Sequence, residues 1–116
     1  MIIVYTTCSS RKEAEKISMS LLRKKLAGCC NVFPVASAYL WKGKIEKAKE
    51  HSIIIKTSGK NFSAVEREIK RLNSYKIPCI EGWDVAHAEH NYASWFDREL
   101  KGAGKGREAT GNRWKK

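Results

Sequence analysis

The stretch from Cys29 to Thr57, CCNVFPVASAYLWKGKIEKAKEHSIIIKT, constrains this chain more than any other. It is dense in Val, Ile, Tyr and Trp, residues that suit a pleated surface, and it is broken once, at Lys42-Gly43. Two extended runs around a short glycine-containing break read as a β-hairpin. Each arm runs to roughly 12 residues, about twice an ordinary strand. Pro34 predicts an edge, a bulge or an irregular start in the first arm, because proline donates nothing to a ladder. Ile53-Ile54-Ile55 does not alternate, which predicts cover on both faces. Arms of this length outrun a small sheet, and an unpaired edge generally finds a partner. Self-association through the hairpin and a last helix is therefore expected.

The flanks supply the other elements. MIIVYTTC is short, β-branched and apolar, a buried strand. Ser10 and Glu13 stand in capping-box spacing, and Ala14, Ile17, Leu21, Leu22 and Leu26 recur at helical spacing, with Gly28 as the expected stop. A second helix is predicted from Phe62, Val65, Ile69 and Leu72, capped by Ser63 with Glu66 or by Asn61. KIPCIEGWDVAH reads as a fourth strand, and AEHNYASWFDREL as a third helix carrying Tyr92, Trp95, Phe96 and Leu100 on one face. The order β-α-β-β-α-β, then α, predicts an α+β, ferredoxin-like sandwich with an extra C-terminal helix and a long middle hairpin. The domain is assigned to residues 1–101. Beyond Lys101 the sequence loses periodicity, so 102–116 is expected to be a basic, disordered tail.

Charge narrows the partners. Of a net +11, the segment from Lys101 to Lys116 holds six basic residues against one acid, +5. Such a tail suits non-specific contact with polyanions or simple solvation. Specific RNA binding is not indicated, because the RNP signature of RNA-binding sheets of this architecture is absent and the aromatics sit on the hairpin and last helix. No nucleophile-elbow, phosphate-loop or H-E-x-x-H motif occurs, so nothing identifies an enzyme. The apolar run Ile2-Ile3-Val4 is too short for a signal peptide or a membrane span, and no CxxC occurs. A cytoplasmic protein is expected, with no membrane contact.

Four cysteines remain: Cys8, Cys29, Cys30 and Cys79. Cys29 and Cys30 are adjacent, which does not suit a mutual disulfide. In a strand their thiols point to opposite faces, so they cannot grip one ion together. Structural packing, a metal contact by one of them and redox chemistry are the three readings, with packing first. His87 and His90, at i, i+3 in HAEH, would share a face if they lie on a helix. Two ligands do not complete a zinc centre, and surface histidines at a helix start are the plainer reading.

VYTT, KLAGCCN, YLWKGKIEKAKE, IIIKT, YKIPCI and YASWF, in this order and spacing, resemble the CutA family of divalent-cation tolerance proteins from Met1 to about Leu100. The most specific part is Tyr39, Trp41, Gly43, Lys44, Ile45, Glu46 and Glu50. The resemblance implies a compact homotrimer of ferredoxin-like subunits, similar in architecture to PII signalling proteins. It also implies a non-enzymatic role in tolerance of copper (Cu2+) or another divalent cation; no organic cofactor is evident. Cys29 falls where the family carries a cysteine. Copper ligands proposed in some members fall here on Thr6, Leu72 and Asn73, with Ser74 in place of a proline. That leaves Cys8, two residues past Thr6, with His87 and His90 as the metal candidates. Cys29, Tyr39, Trp41, Glu46, Glu50 and Lys56 form the candidate ligand crevice between subunits. The alternatives there are a PII-like small-ligand sensor, or simply the ion pairs and stacked rings of a trimer interface.

Overall fold

The strand β1 (Ile2–Cys8) lies inside a four-stranded sheet, flanked by β3 (Lys44–Thr57) and β4 (Ile80–Asp84), with β2 (Cys29–Trp41) outside β3. A computed structural model describes residues 1–101; the tail 102–116 and the polyanion contact assigned to it lie outside the described residues. Every pairing is antiparallel, from Ile2↔Thr57 to Cys8↔His51, from Ile2↔Asp84 to Thr6↔Ile80, and from Cys29↔Lys56 to Trp41↔Lys44. With α1 (Arg11–Arg23), α2 (Phe62–Leu72) and α3 (His90–Leu100) this is the expected ferredoxin-like order with one added helix. β2 is an edge strand, where Pro34 is tolerated.

One sheet face carries the core. Ile2, Val4 and Cys8 from β1 and Ile53 and Ile55 from β3 pack against Ala14, Ile17 and Leu21 of α1 and Val65 and Ile69 of α2. Each large aliphatic there gains about 1.5–3 kcal/mol from burial. A buried carboxylate braces the two helices: Glu68 accepts from Ser20, from Lys24 Nζ at 2.9 Å and from Arg71 Nη2 at 2.8 Å.

Several boundaries differ from the pattern. Ser10 caps α1, its Oγ accepting from Glu13 N at 3.1 Å, but the Glu13 carboxylate turns to Ser74, accepting from its N and Oγ at 3.2 Å. The helix stops before Gly28. Lys25 takes a left-handed φ of 56°, while Lys25 N and Leu26 N donate to Leu22 O and Leu21 O, the bonding of a Schellman cap. A 3-10 turn over Gly59–Asn61 leads into α2, and Asn61 donates to Thr57 Oγ1 at 3.3 Å instead of capping. β4 spans only Ile80–Asp84 of the longer strand predicted. α3 begins at His90, with the Glu89 carboxylate as its cap. His87 is thus in the preceding loop, so the condition for a shared helical face is not met, and both imidazoles are exposed around the start of α3.

The hairpin turns in two residues, Lys42 and Gly43, with φ of 51° and 78°. Positive φ at both positions matches the strand twist, which is why a glycine stands there. β1 ends opposite His51, so Lys44–Glu50 and the paired Val35–Trp41 run on beyond the sheet, about 23 Å of two-stranded ribbon. Leu40 and Ile45 near its tip are 75% and 73% exposed, with Tyr39 and Trp41 half exposed beside them.

Candidate functional site

The pleat decides what meets at the root of this ribbon. On β3 the face turned away from α1 and α2 carries Glu46, Glu50 and Ser52; its β2 counterparts are Ser37, Tyr39 and Trp41, and from β1 come Tyr5 and Thr7. The α2–β4 loop closes one side. There Asn73 Nδ2 donates to Thr7 O at 3.0 Å, and Asn73 Oδ1 accepts from Tyr75 N at 2.8 Å. This clamp sends Tyr75 toward β3, where its hydroxyl donates to Glu50 Oε2 at 2.7 Å. The result is a cleft of about 560 Å³ lined by Tyr5, Tyr39, Trp41, Glu46, Glu50 and Tyr75, among others.

Glu50 sets its electrostatics. It is 9% exposed. Burial opposes its ionisation, but hydroxyl donors on Ser37, Tyr75 and Thr7 outweigh that and hold the carboxyl below its usual range. Tyr75 shifts the other way: burial, then the bond to Glu50, raises its phenol. Tyr5 and Ser52 bond hydroxyl to hydroxyl at 2.5 Å behind it.

Four of the six crevice candidates, Tyr39, Trp41, Glu46 and Glu50, line this cleft; Cys29 and Lys56 do not. Both sit at the far end of the hairpin, where they pair with each other, and six residues separate Lys56 from Glu50, roughly 20 Å along the strand. Lys56 Nζ donates to Tyr92 Oη at 3.2 Å and lies 5.3 Å from that ring's centroid. Tyr5, Thr7, Ser37 and Tyr75 were not among the candidates. Alternation along the first strand was the signal that could have found Tyr5 and Thr7; Tyr75 opens the YKIPCI motif, which marked the residue but not its reach to Glu50.

The two adjacent cysteines part as the pleat requires. Cys30, opposite Ile55, packs on the core and its thiol is pushed up to about 12 by burial; Cys29, opposite Lys56, faces the other way. Cys8 is fully buried, and burial first, then Glu13 and Glu50, push its thiol up to about 12. His87 follows β4, whose end pairs with Ile2, so the metal candidates lie at opposite ends of β1, about 20 Å apart. Thr6 is buried with its Oγ1 unpaired between Ile53 and Ile80, and Asn73 is committed to the loop clamp. Among the described residues no group of three or more His, Cys, Asp or Glu gathers as a cation would need. These donors do not fit a resident copper centre, which wants several thiolate, imidazole or carboxylate ligands at one point.

The sequence profile of the family described as CutA1 divalent ion tolerance protein matches residues 2–99. The divalent-cation tolerance protein CutA of Archaeoglobus fulgidus is 40% identical over 98 residues, covering 84% of this chain and 96% of that protein. Its counterpart in Pyrococcus horikoshii is 38% identical over 101 residues, covering 87% and 99%. Among solved structures, that of the periplasmic divalent cation tolerance protein CutA from Archaeoglobus fulgidus superposes with a TM-score of 0.83 at 40% identity, covering 86% of this chain and 99% of the other.

Proposed function

The chain belongs to the CutA family of divalent-cation tolerance proteins, and from that premise we propose that it serves cation tolerance, copper included, as a cytoplasmic homotrimer that binds without catalysing. The observation that carries the assembly is the ribbon: seven residues of each strand beyond β1, with Leu40 and Ile45 largely exposed at its tip. Apolar overhangs with a free strand edge are stabilised by a second copy. A closed three-fold arrangement satisfies every copy alike. Four free cysteines accord with a reducing compartment. Light scattering on the chain should return roughly three times 13.2 kDa; a folded single chain at dilute concentration would remove the reading.

Because the donors do not converge, cation contact on this reading is made at exposed side chains such as His87 and His90. Calorimetry with copper(II) and zinc(II) tests it. Heats that are unchanged in a His87→Ala/His90→Ala variant would take those imidazoles out of the proposal. The basic segment 102–116 is assigned non-specific polyanion contact by its charge; its deletion should abolish oligonucleotide binding and the salt dependence of that binding.

The cleft favours a second reading, a small-ligand sensor similar to PII proteins. A buried ionised carboxylate among aromatic rings suits an organic ligand better than a bare interface contact. Loss of ligand binding in Trp41→Ala, with Lys56→Ala unaffected, is the expected pattern.

A further inference from the structure

We propose that the cleft between the ribbon and the Tyr75 loop binds a small organic ammonium ion, with Glu50 as counter-charge and the rings of Tyr5, Tyr39, Trp41 and Tyr75 as walls. This rests on the sensor reading above and names its ligand class. The argument begins with a charge imbalance. Glu50 is nine-tenths buried, and the donors around it are neutral hydroxyls, Tyr75 at 2.7 Å among them. Such donors solvate a carboxylate without cancelling its charge. Among the described residues the ion pairs are Arg11–Glu15, Lys24–Glu68, Lys70–Glu66 and Arg71–Glu68, and none involves Glu50. Glu50 therefore stays ionised inside the cleft with its net charge uncancelled, and that negative field favours a cation seated against it.

The walls select the kind of cation. Aromatic faces attract ammonium groups through the ring quadrupole, as the Lys42 Nζ lying 5.9 Å from the Trp41 ring centroid already illustrates. The cleft's soft donor, Cys79, is an exposed residue whose thiol is pushed up to about 11 by partial desolvation, then by its bond to Glu81. An anion is disfavoured by Glu46 and Glu50, against which Lys76 sets a single opposite charge. The volume, about 560 Å³, accommodates an ammonium head and a short organic body.

The test uses the full chain with choline and with its neutral isostere 3,3-dimethylbutan-1-ol, followed by calorimetry and by amide chemical shifts. Choline should bind once per chain, shifting amides of Ser37–Trp41 and of the Tyr75 loop. The isostere should bind at least roughly tenfold more weakly, and Glu50→Gln, which keeps a hydrogen-bond acceptor, should lose choline by a similar factor. Tyr39→Leu, on the exposed ribbon, supplies a second variant should Glu50→Gln not fold: roughly threefold to tenfold weaker choline binding is expected, with the isostere unchanged. Equal binding of choline and the isostere would overturn the ammonium inference and leave the sensor reading standing. No binding of either up to roughly 10 mM would overturn both. A crystal structure of the assembly with a neighbouring copy's lysine ammonium on Glu50 would overturn the small-molecule occupant.

Discussion

Gly28→Ala should loosen the third helix. A Cβ at this position would meet Phe96 Cε2 at 2.6 Å, Cδ2 at 2.9 Å and Cζ at 3.2 Å. Non-bonded carbons settle at about 3.5–4.0 Å, so the ring must recede by about 1 Å. It has little room to do so, since Phe96 is fully buried. Overpacking of this kind costs about 1–3 kcal/mol. For a domain of about this size each kcal/mol lowers Tm by roughly 4–8 °C, so a fall of about 4–24 °C is expected. The displacement also reaches Lys56, because Tyr92, one helical turn before Phe96, accepts from its Nζ. Thermal unfolding followed by circular dichroism, at one fixed protein concentration, measures the loss. Phe96→Leu removes the clashing ring atoms, so the double variant should be less destabilised than the two single changes summed, by about 1 kcal/mol or more. A Gly28→Ala protein melting with wild type, or strictly additive losses, would refute the claim that the missing Cβ seats this ring.

Three further outcomes follow from the same contacts. The Glu68 carboxyl is held far below its ordinary 4.5 by hydrogen bonds from Arg71, Ser20 and Lys24. The folded state therefore binds fewer protons than the unfolded one below that value, so this stabilisation is full above about pH 4.5 and erodes as pH falls beneath it; Glu68→Gln should flatten that part of an acid titration of stability. Lys25→Gly should raise stability by about 0.5–1 kcal/mol in urea unfolding, because glycine takes the left-handed cap at φ 56° without strain. Cys8, buried, and Cys30, half-buried against the core, have thiols pushed up to about 12; both should react slowly with a disulfide reagent at pH 8 until the chain unfolds, and rapid native labelling of Cys8 by mass spectrometry would contradict its burial.

Local patterns carried the architecture. β-Branched density, the Lys42-Gly43 break and two runs at helical spacing are properties of neighbouring residues, and they delivered element order, sandwich class and overlong hairpin. Where a cue had two local outlets, the pattern misled: Gly28 looked like a helix stop because glycine often is one, yet Lys25 closes α1 and Gly28 makes room for a ring 68 residues away. Whether His87 and His90 share a helical face stayed open in the sequence, because spacing does not reveal where a helix starts, and Glu89 supplies the cap that starts it at His90.

The candidate site divides along the same line. Tyr39, Trp41, Glu46 and Glu50 were legible from the hairpin itself, since strand alternation places them on one face. Their separation from Lys56 follows from length along the strand, while the arrival of Tyr75 through the Asn73 clamp joins segments 25 residues apart in the chain. The sequence by itself determined which elements form and which faces are greasy, because backbone sterics and side-chain periodicity act over a few residues. Only the tertiary structure decided that Glu50 lies buried under hydroxyls from three different elements, because desolvation and hydrogen bonding depend on which distant groups the packed sheet and loop bring within about 3 Å.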